Sequence, residues 1–294
     1  MKSRRSLKKT TITAPDLQNK VAYWIKIAQA DLGSSRTLYE AGQYRTSYFL
    51  FQQASEKANK AFALYANFAT EEELSKIGHD QFKLYRRELV KKESELNEFV
   101  ERVRALPPAA RDHEMMGLDT METVQSSQLE MIRLIDGLRQ KDLVNFSAVE
   151  LNQLHKLLRS LHRPEIRLPR NPPPELKAII FKIADWADNF QTPEAINAKK
   201  EIEEWANDPV KSKELYAVMI KMLRVTVDFS FIFFSLCCSA VLTIQHSSLT
   251  RYPADGKDPL KIYTSKLPLV KKQPLFAGLL LEALNKLQKL NRVA

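Results

Sequence analysis

The stretch WIKIAQADLGSSRTLYEAGQYRTSYFLFQQASEKANKAFALY, Trp24–Tyr65, decides the fold. With Val21 just ahead of it, its first half places Trp24, Ile25, Ala28, Leu32, Leu38 and Tyr39 at helical spacing. The triplet Ala41-Gly42-Gln43 breaks that pattern, and glycine there is a natural left-handed helix stop. The second half carries its own stripe of Tyr44, Tyr48, Phe51, Ala54, Ala58, Phe62 and Tyr65, with Gln53, Glu56, Lys57 and Lys60 on other faces. Two amphipathic helices joined by so short a connection predict an antiparallel hairpin.

Working outward, Thr70 is placed to cap EEELSKIG, whose three leading acids suit a helix N-terminus. His79-Asp80 follow at the start of a long helix over about 80–105, which stops before Pro107-Pro108. Helices are also predicted over 121–140, 147–163, 174–190 and 193–206, with the proline cluster 164–174 as a stiff internal link. A long helix runs from Lys211 past Ile244, then the turn-rich HSSLTRYPADGKDP, then a last helix opened by Pro274 over Leu275–Leu290. No strand-like alternation of useful length appears. Only 7 glycines are present in 294 residues, which argues against glycine-rich phosphate loops and dinucleotide-binding turns. The expected fold class is all-α, an up-and-down helical bundle.

The net charge of +10 is unevenly spread. Residues 1–20 hold six cations against Asp16, and residues 251–294 hold nine cations against three acids, so a near-neutral body carries two basic ends. Basic ends attract polyanions such as RNA, DNA or anionic lipid. The opening MKSRRSLKKT is basic without the apolar stretch of a secretory signal, and Cys237 and Cys238 are adjacent, a poor geometry for a disulfide. Both point to a reducing, cytoplasmic setting.

The run FSFIFFSLCCSAVLTI, Phe229–Ile244, has sixteen residues without a charge. A membrane span needs about 20, and extending back to Val225 takes in Asp228. A helix apolar all round is also what the centre of a bundle requires, and that is the expected role, with both cysteines as small buried groups.

Trp24–Tyr65, together with Gly78-His79-Asp80, resembles the HEPN domain (higher eukaryote and prokaryote nucleotide-binding). The matching features are the Ala-x-x-Asp-Leu segment at Ala28–Leu32, the Gly-x-Tyr turn at Gly42–Tyr44, and Gln-Gln-Ala-x-Glu-Lys-Ala-x-Lys-Ala at Gln52–Ala61. Far downstream, TRYPADGKDPLKIYT (Thr250–Thr264) resembles the family's Arg-Tyr-Pro loop ahead of its last helix. The resemblance implies a division into a basic flexible arm (1–15), a first part of the HEPN-like bundle (16–105), a helical insertion (106–210) and a second part of the bundle (211–294). It also implies a homodimer that binds nucleotide or RNA, and a nucleotidyltransferase partner in a toxin–antitoxin or defence system. Distant segments should close into one bundle, with Gln52–Ala61 packed on the long apolar helix.

Many HEPN proteins resemble metal-independent ribonucleases marked by an Arg, four to six intervening residues, and a His. None of His79, His113, His155, His162 and His246 has an Arg at that spacing. His246 with Arg251 is the nearest arrangement, in reversed order. Walker, Cys-x-x-Cys, His-Glu-x-x-His and Gly-x-Ser-x-Gly motifs are all absent, so no cofactor or metal is implied. A binding role is therefore expected over catalysis. Lys57, Lys60 and Arg251 are the candidate phosphate contacts, with His79 beside them and Tyr252 as a base-stacking platform. The alternatives are a ribonuclease using His246 and Arg251, or His79, and a structural interaction protein without ligand.

Overall fold

The computed structural model describes residues 14–106, 108–112, 146–162, 174–190, 192–252 and 258–293, with seven isolated positions between 119 and 133. Every element among them is helical: α1 Ala14–Glu40, α2 Tyr44–Tyr65, α3 Glu71–Ile77, α4 Phe82–Arg104, α5 Pro108–Arg111, α6 Ala148–His162, α7 Pro174–Asp188, α8 Pro193–Asn207, α9 Pro209–Thr243, α10 His246–Leu249, α11 Pro259–Ile262 and α12 Pro268–Val293. The basic residues 1–13, most of the helix expected over 121–140, most of the proline cluster and Pro253 lie outside the described residues.

The chain folds as two compact units. The first gathers 1–84, 143–158 and 232–294; the second gathers 85–142 and 159–231.

In the first unit, α1 and α2 form the expected hairpin. Gly42 takes φ 74°, and the amides of Gly42 and Gln43 bond back to the carbonyls of Tyr39 and Leu38, closing the end of α1. Asn67 repeats the device after α2 at φ 55°, with Phe68 N–H donating to Ala63 O. α1 buries Val21, Ile25, Ala28, Leu32 and Ser35, one face at steps of three and four. α2 is the central helix: Tyr48, Phe51, Ala54, Ala58, Ala61 and Phe62 are all essentially inaccessible. Each buried phenylalanine contributes about 1.5–3 kcal/mol relative to exposure.

The apolar run enters this core. From Phe231 to Thr243, α9 is buried except at Phe233 and Phe234, which are half-buried. Ser55 Oγ donates to Ser239 Oγ at 2.9 Å, and Tyr48 Oη donates to the Leu242 carbonyl at 2.9 Å. Segments more than 180 residues apart thus close onto each other. α9 is the one helix among the described residues long and apolar enough to cross a membrane, and half of its apolar window is buried. Cys237 and Cys238 are free and buried, and burial pushes the Cys237 thiol up to about 12.

α12 runs antiparallel along α1. Asn291 Nδ2 donates to Gln18 O, Gln29 Nε2 donates to Asn285 Oδ1, and Gln273 Nε2 donates to Ser35 Oγ. The last helix was expected to begin at Pro274. It begins at Pro268 instead, and Pro274 lies in its interior. Pro268 occupies the first turn, where a missing N–H is harmless, so the proline rule applies one proline earlier. Interior Pro274 removes one intrahelical bond. The burial of Val270, Gln273, Phe276 and Leu280 carries the helix through that gap.

The second unit has its own core of Ile180, Ala206 and Tyr216, with Phe181, Ile202 and Met219 packed on it. Thr192 caps α8 through its side chain, with Pro193 at the first position. Asp208 Oδ1 accepts from the amides of Val210 and Lys211 at the start of α9, and those bonds hold its carboxyl below the usual range.

Candidate functional site

The polar residues of α2 do not all face solvent. Glu56 is 7% exposed, the one charged side chain buried along α2. Its Oε1 lies 2.7 Å from Lys60 Nζ and its Oε2 lies 2.7 Å from His79 Nδ1, while Gln52 Nε2 donates to Oε2 at 3.4 Å. Gln53 in turn donates to Gln52 Oε1 at 2.7 Å. Burial works against charge at Glu56, but hydrogen bonds and attraction from Lys60 and His79 outweigh it. The carboxyl sits below its ordinary range and is ionised at neutral pH.

Local structure delivers His79 to that carboxylate. α2 ends at Tyr65, and Thr70 and Glu73 bond each other's backbone amides in a capping box that starts α3. Gly78, at φ 62°, turns the chain back so that His79 lies over α2 ahead of α4. Gln81 Nε2 donates to the Gly78 carbonyl at 2.7 Å and braces the turn.

An ionised carboxylate can only accept, so His79 Nδ1 carries the proton. In the neutral ring that places the lone pair on Nε2, and the side chain is 53% exposed. This is a histidine oriented by a buried acid, the arrangement that makes an imidazole a competent hydrogen-bond acceptor or general base. Lys60 Nζ lies 5.5 Å from the Trp24 ring centroid beside it.

Arg251 belongs to the same strip of α2. Its guanidinium carbon lies 5.7 Å from the Phe49 ring and 5.8 Å from the Tyr252 ring. Phe49, Gln53, Glu56 and Lys60 follow one another at steps of three and four, so they share one face. Phe49 precedes Glu56 by seven residues, about 10 Å along the helix. Tyr252 is 63% exposed, as a stacking platform must be. Neighbouring Arg45 Nη1 donates to the Thr250 carbonyl at 2.9 Å, which ties the start of this loop to α2.

The other sequence candidates land elsewhere. Lys57 is ion-paired with Asp31 of α1, both side chains about one-fifth exposed, and Lys60 is committed to Glu56. Each ammonium has a carboxylate partner in the structure. His246 is 0% exposed, its Nδ1 bonded to Tyr263 Oη and its ring packed against Tyr48. Buried there, it cannot meet a substrate together with exposed Arg251. His155 packs edge-on to Phe276, and His113 lies outside the described residues. Sequence reasoning missed Glu56, the hub of the cluster. Glu56 and Lys60 look like an ordinary surface i,i+4 pair, and no spacing rule shows that the His79 turn covers it. Among the described residues, no three His, Cys, Asp or Glu side chains gather as metal ligands would.

Residues 21–113 match the family model of the HEPN domain. Over those residues the chain is similar to a HEPN domain. The match takes in α1 to α5, and therefore Trp24, Glu56, Lys60 and His79; Arg251 and Tyr252 lie beyond it. No curated protein and no solved structure matches the chain.

Proposed function

We propose that this protein binds nucleotide or RNA on the strip of α2 running from Phe49 to Lys60. The observation that carries the proposal is His79 held through Nδ1 by buried Glu56, with half of its side chain exposed. Arg251 supplies the phosphate contact, Tyr252 stacks a base, and His79 Nε2 accepts from a base or ribose donor. Lys57 and Lys60 contribute by fixing Asp31 and Glu56. From family likeness alone, the proposal extends to a cytoplasmic homodimer with a nucleotidyltransferase partner in a toxin–antitoxin or defence pair. The apolar run is assigned to the bundle core. The test is titration of the full chain with structured RNA and with mononucleotides at low salt, read by gel mobility and by Trp24 fluorescence. Binding should weaken steeply with salt; no response to either ligand defeats the proposal and favours an interaction protein without ligand.

The Glu56–His79 pair also favours a second reading, metal-independent RNA cleavage. His79 Nε2 would take the proton of a ribose 2′-hydroxyl as that oxygen attacks the adjacent phosphorus. The new P–O2′ bond forms as the P–O5′ bond breaks, leaving a 2′,3′-cyclic phosphate and a 5′-hydroxyl protonated from solvent. Cleavage in excess chelator that disappears in His79→Ala supports this reading; intact RNA after incubation with the wild-type protein removes it.

A further inference from the structure

The first half of α9 is anchored in the second unit by one face only. Tyr216 is buried in that unit's core, and Leu215, Met219 and Ile220 pack against it. At 3.6 residues per turn, Val218, Met222 and Val225 fall within about 60° of one another, on the side away from Tyr216. A surface helix puts its polar residues there. Here the three apolar side chains are 54%, 65% and 43% exposed, in a row at steps of four and three. Those are the steps of a seam between paired helices. The row continues at the same steps through Phe229, Ile232, Leu236 and Ser239. In the first unit it is covered: Ile232 and Leu236 are inaccessible, and Ser239 meets Ser55 of α2. One helix thus carries one seam, covered toward its C-terminal end and bare over Val218–Val225.

The border of the bare row says what fits it. Glu214 and Lys221, seven residues apart, flank it on the same side, and both are exposed. Neither has an ion-pair partner among the described residues. When two copies of one helix lie antiparallel, residues bordering one side of the seam face their own counterparts across it. With the twofold axis beside Val218, Glu214 of each copy then stands against Lys221 of the other, and the pair forms twice. A parallel pairing would set the same two residues against Met219 and Thr226 and leave both charges unanswered. The row and its border are therefore complementary to a second copy of themselves, in one orientation.

We propose that two copies of this chain associate through an antiparallel pair of α9 helices, with Val218, Met222 and Val225 in the seam and two Glu214–Lys221 pairs beside it. This rests on the homodimer proposed above and assigns its face, which lies outside residues 21–113 and outside the His79 strip. The bare row is about two turns long, well short of a standard interface, so the dissociation constant should be about 10–100 μM.

The test is sedimentation equilibrium of the full chain at low salt without RNA. Wild type should pass from monomer to dimer in that range. Val218→Glu should stay monomeric, with circular dichroism showing that it folds. Glu214→Lys and Lys221→Glu, each alone, should weaken association about tenfold, because both pairs become like-charged. A one-to-one mixture of these two variants should regain wild-type association, since every Lys then meets a Glu on the other copy. If Val218→Glu does not fold, the mixture decides. Wild type that stays monomeric up to about 1 mM overturns the proposal together with the homodimer. A dimer left intact by folded Val218→Glu, or a mixture no tighter than either variant alone, overturns the α9 face and leaves the homodimer standing.

Discussion

Two histidines in the first unit invite comparison, because each is held through Nδ1 by one strong partner yet the two do opposite things. His246 meets the phenol of Tyr263 and the ring of Tyr48, with no exposure at all. Burial raises both phenols, so His246 sits among neutral groups. His79 meets the ionised carboxylate of Glu56 and keeps half of its side chain in solvent. The first is part of the packing. The second is aimed by a charge, with its second nitrogen free to meet a ligand. The sequence offered His246 with Arg251, or His79, as catalytic candidates; exposure and partner chemistry favour His79.

The comparison breaks first at His246. Replacing it with Ala should cost about 2–4 kcal/mol, because it opens a cavity beside Tyr48 and orphans the Tyr263 hydroxyl. Urea unfolding at pH 7 measures this, and a loss under about 1 kcal/mol would mean that the buried histidine is not structural. RNA affinity per folded molecule should stay unchanged.

Next comes Glu56→Gln, which leaves the largely covered Lys60 without its counter-ion and should cost about 1–3 kcal/mol at pH 7. The sign with pH follows from the depressed carboxyl. Its stabilisation is complete above the ordinary value of 4.5 and is lost as pH falls below that toward the lowered folded value. The gap between wild type and Glu56→Gln should therefore be full at neutral pH and shrink below about pH 4.5; a gap that does not change with pH would show that the charge is not what matters.

Arg251→Ala sharpens the contrast on the exposed side. It should lower RNA affinity by three- to tenfold, about 1 kcal/mol, and reduce the salt slope by about one. Stability should move by less than about 0.5 kcal/mol. Lys57→Met, which removes a cation already paired with Asp31, should change affinity by less than twofold. Equal effects from Arg251 and Lys57 in a salt-dependent binding assay would mean that net charge, not geometry, governs the interaction.

Much of this architecture was legible. The periods of α1 and α2, the stop at Gly42 and the Thr70 cap all follow from local rules, because each depends on residues within a few positions of one another. The start of α12 was misread because two prolines, Pro268 and Pro274, compete for the first turn, and only the buried side of the helix decides between them. His79, Arg251 and Tyr252 were named from the sequence, but their shared strip on α2 was not. Glu56 was invisible as a hub because its meaning comes from a turn that starts eleven residues after it and folds back. The Ser35–Ser47–Gln273 junction joins three helices across 238 residues, and no periodicity encodes it.

The claim that His79 marks the binding face is tested most directly by titrating wild type and His79→Ala with the same structured RNA at low salt. The account predicts at least tenfold weaker binding by the variant, with circular dichroism showing that it still folds. Equal affinities from two equally folded proteins would contradict it.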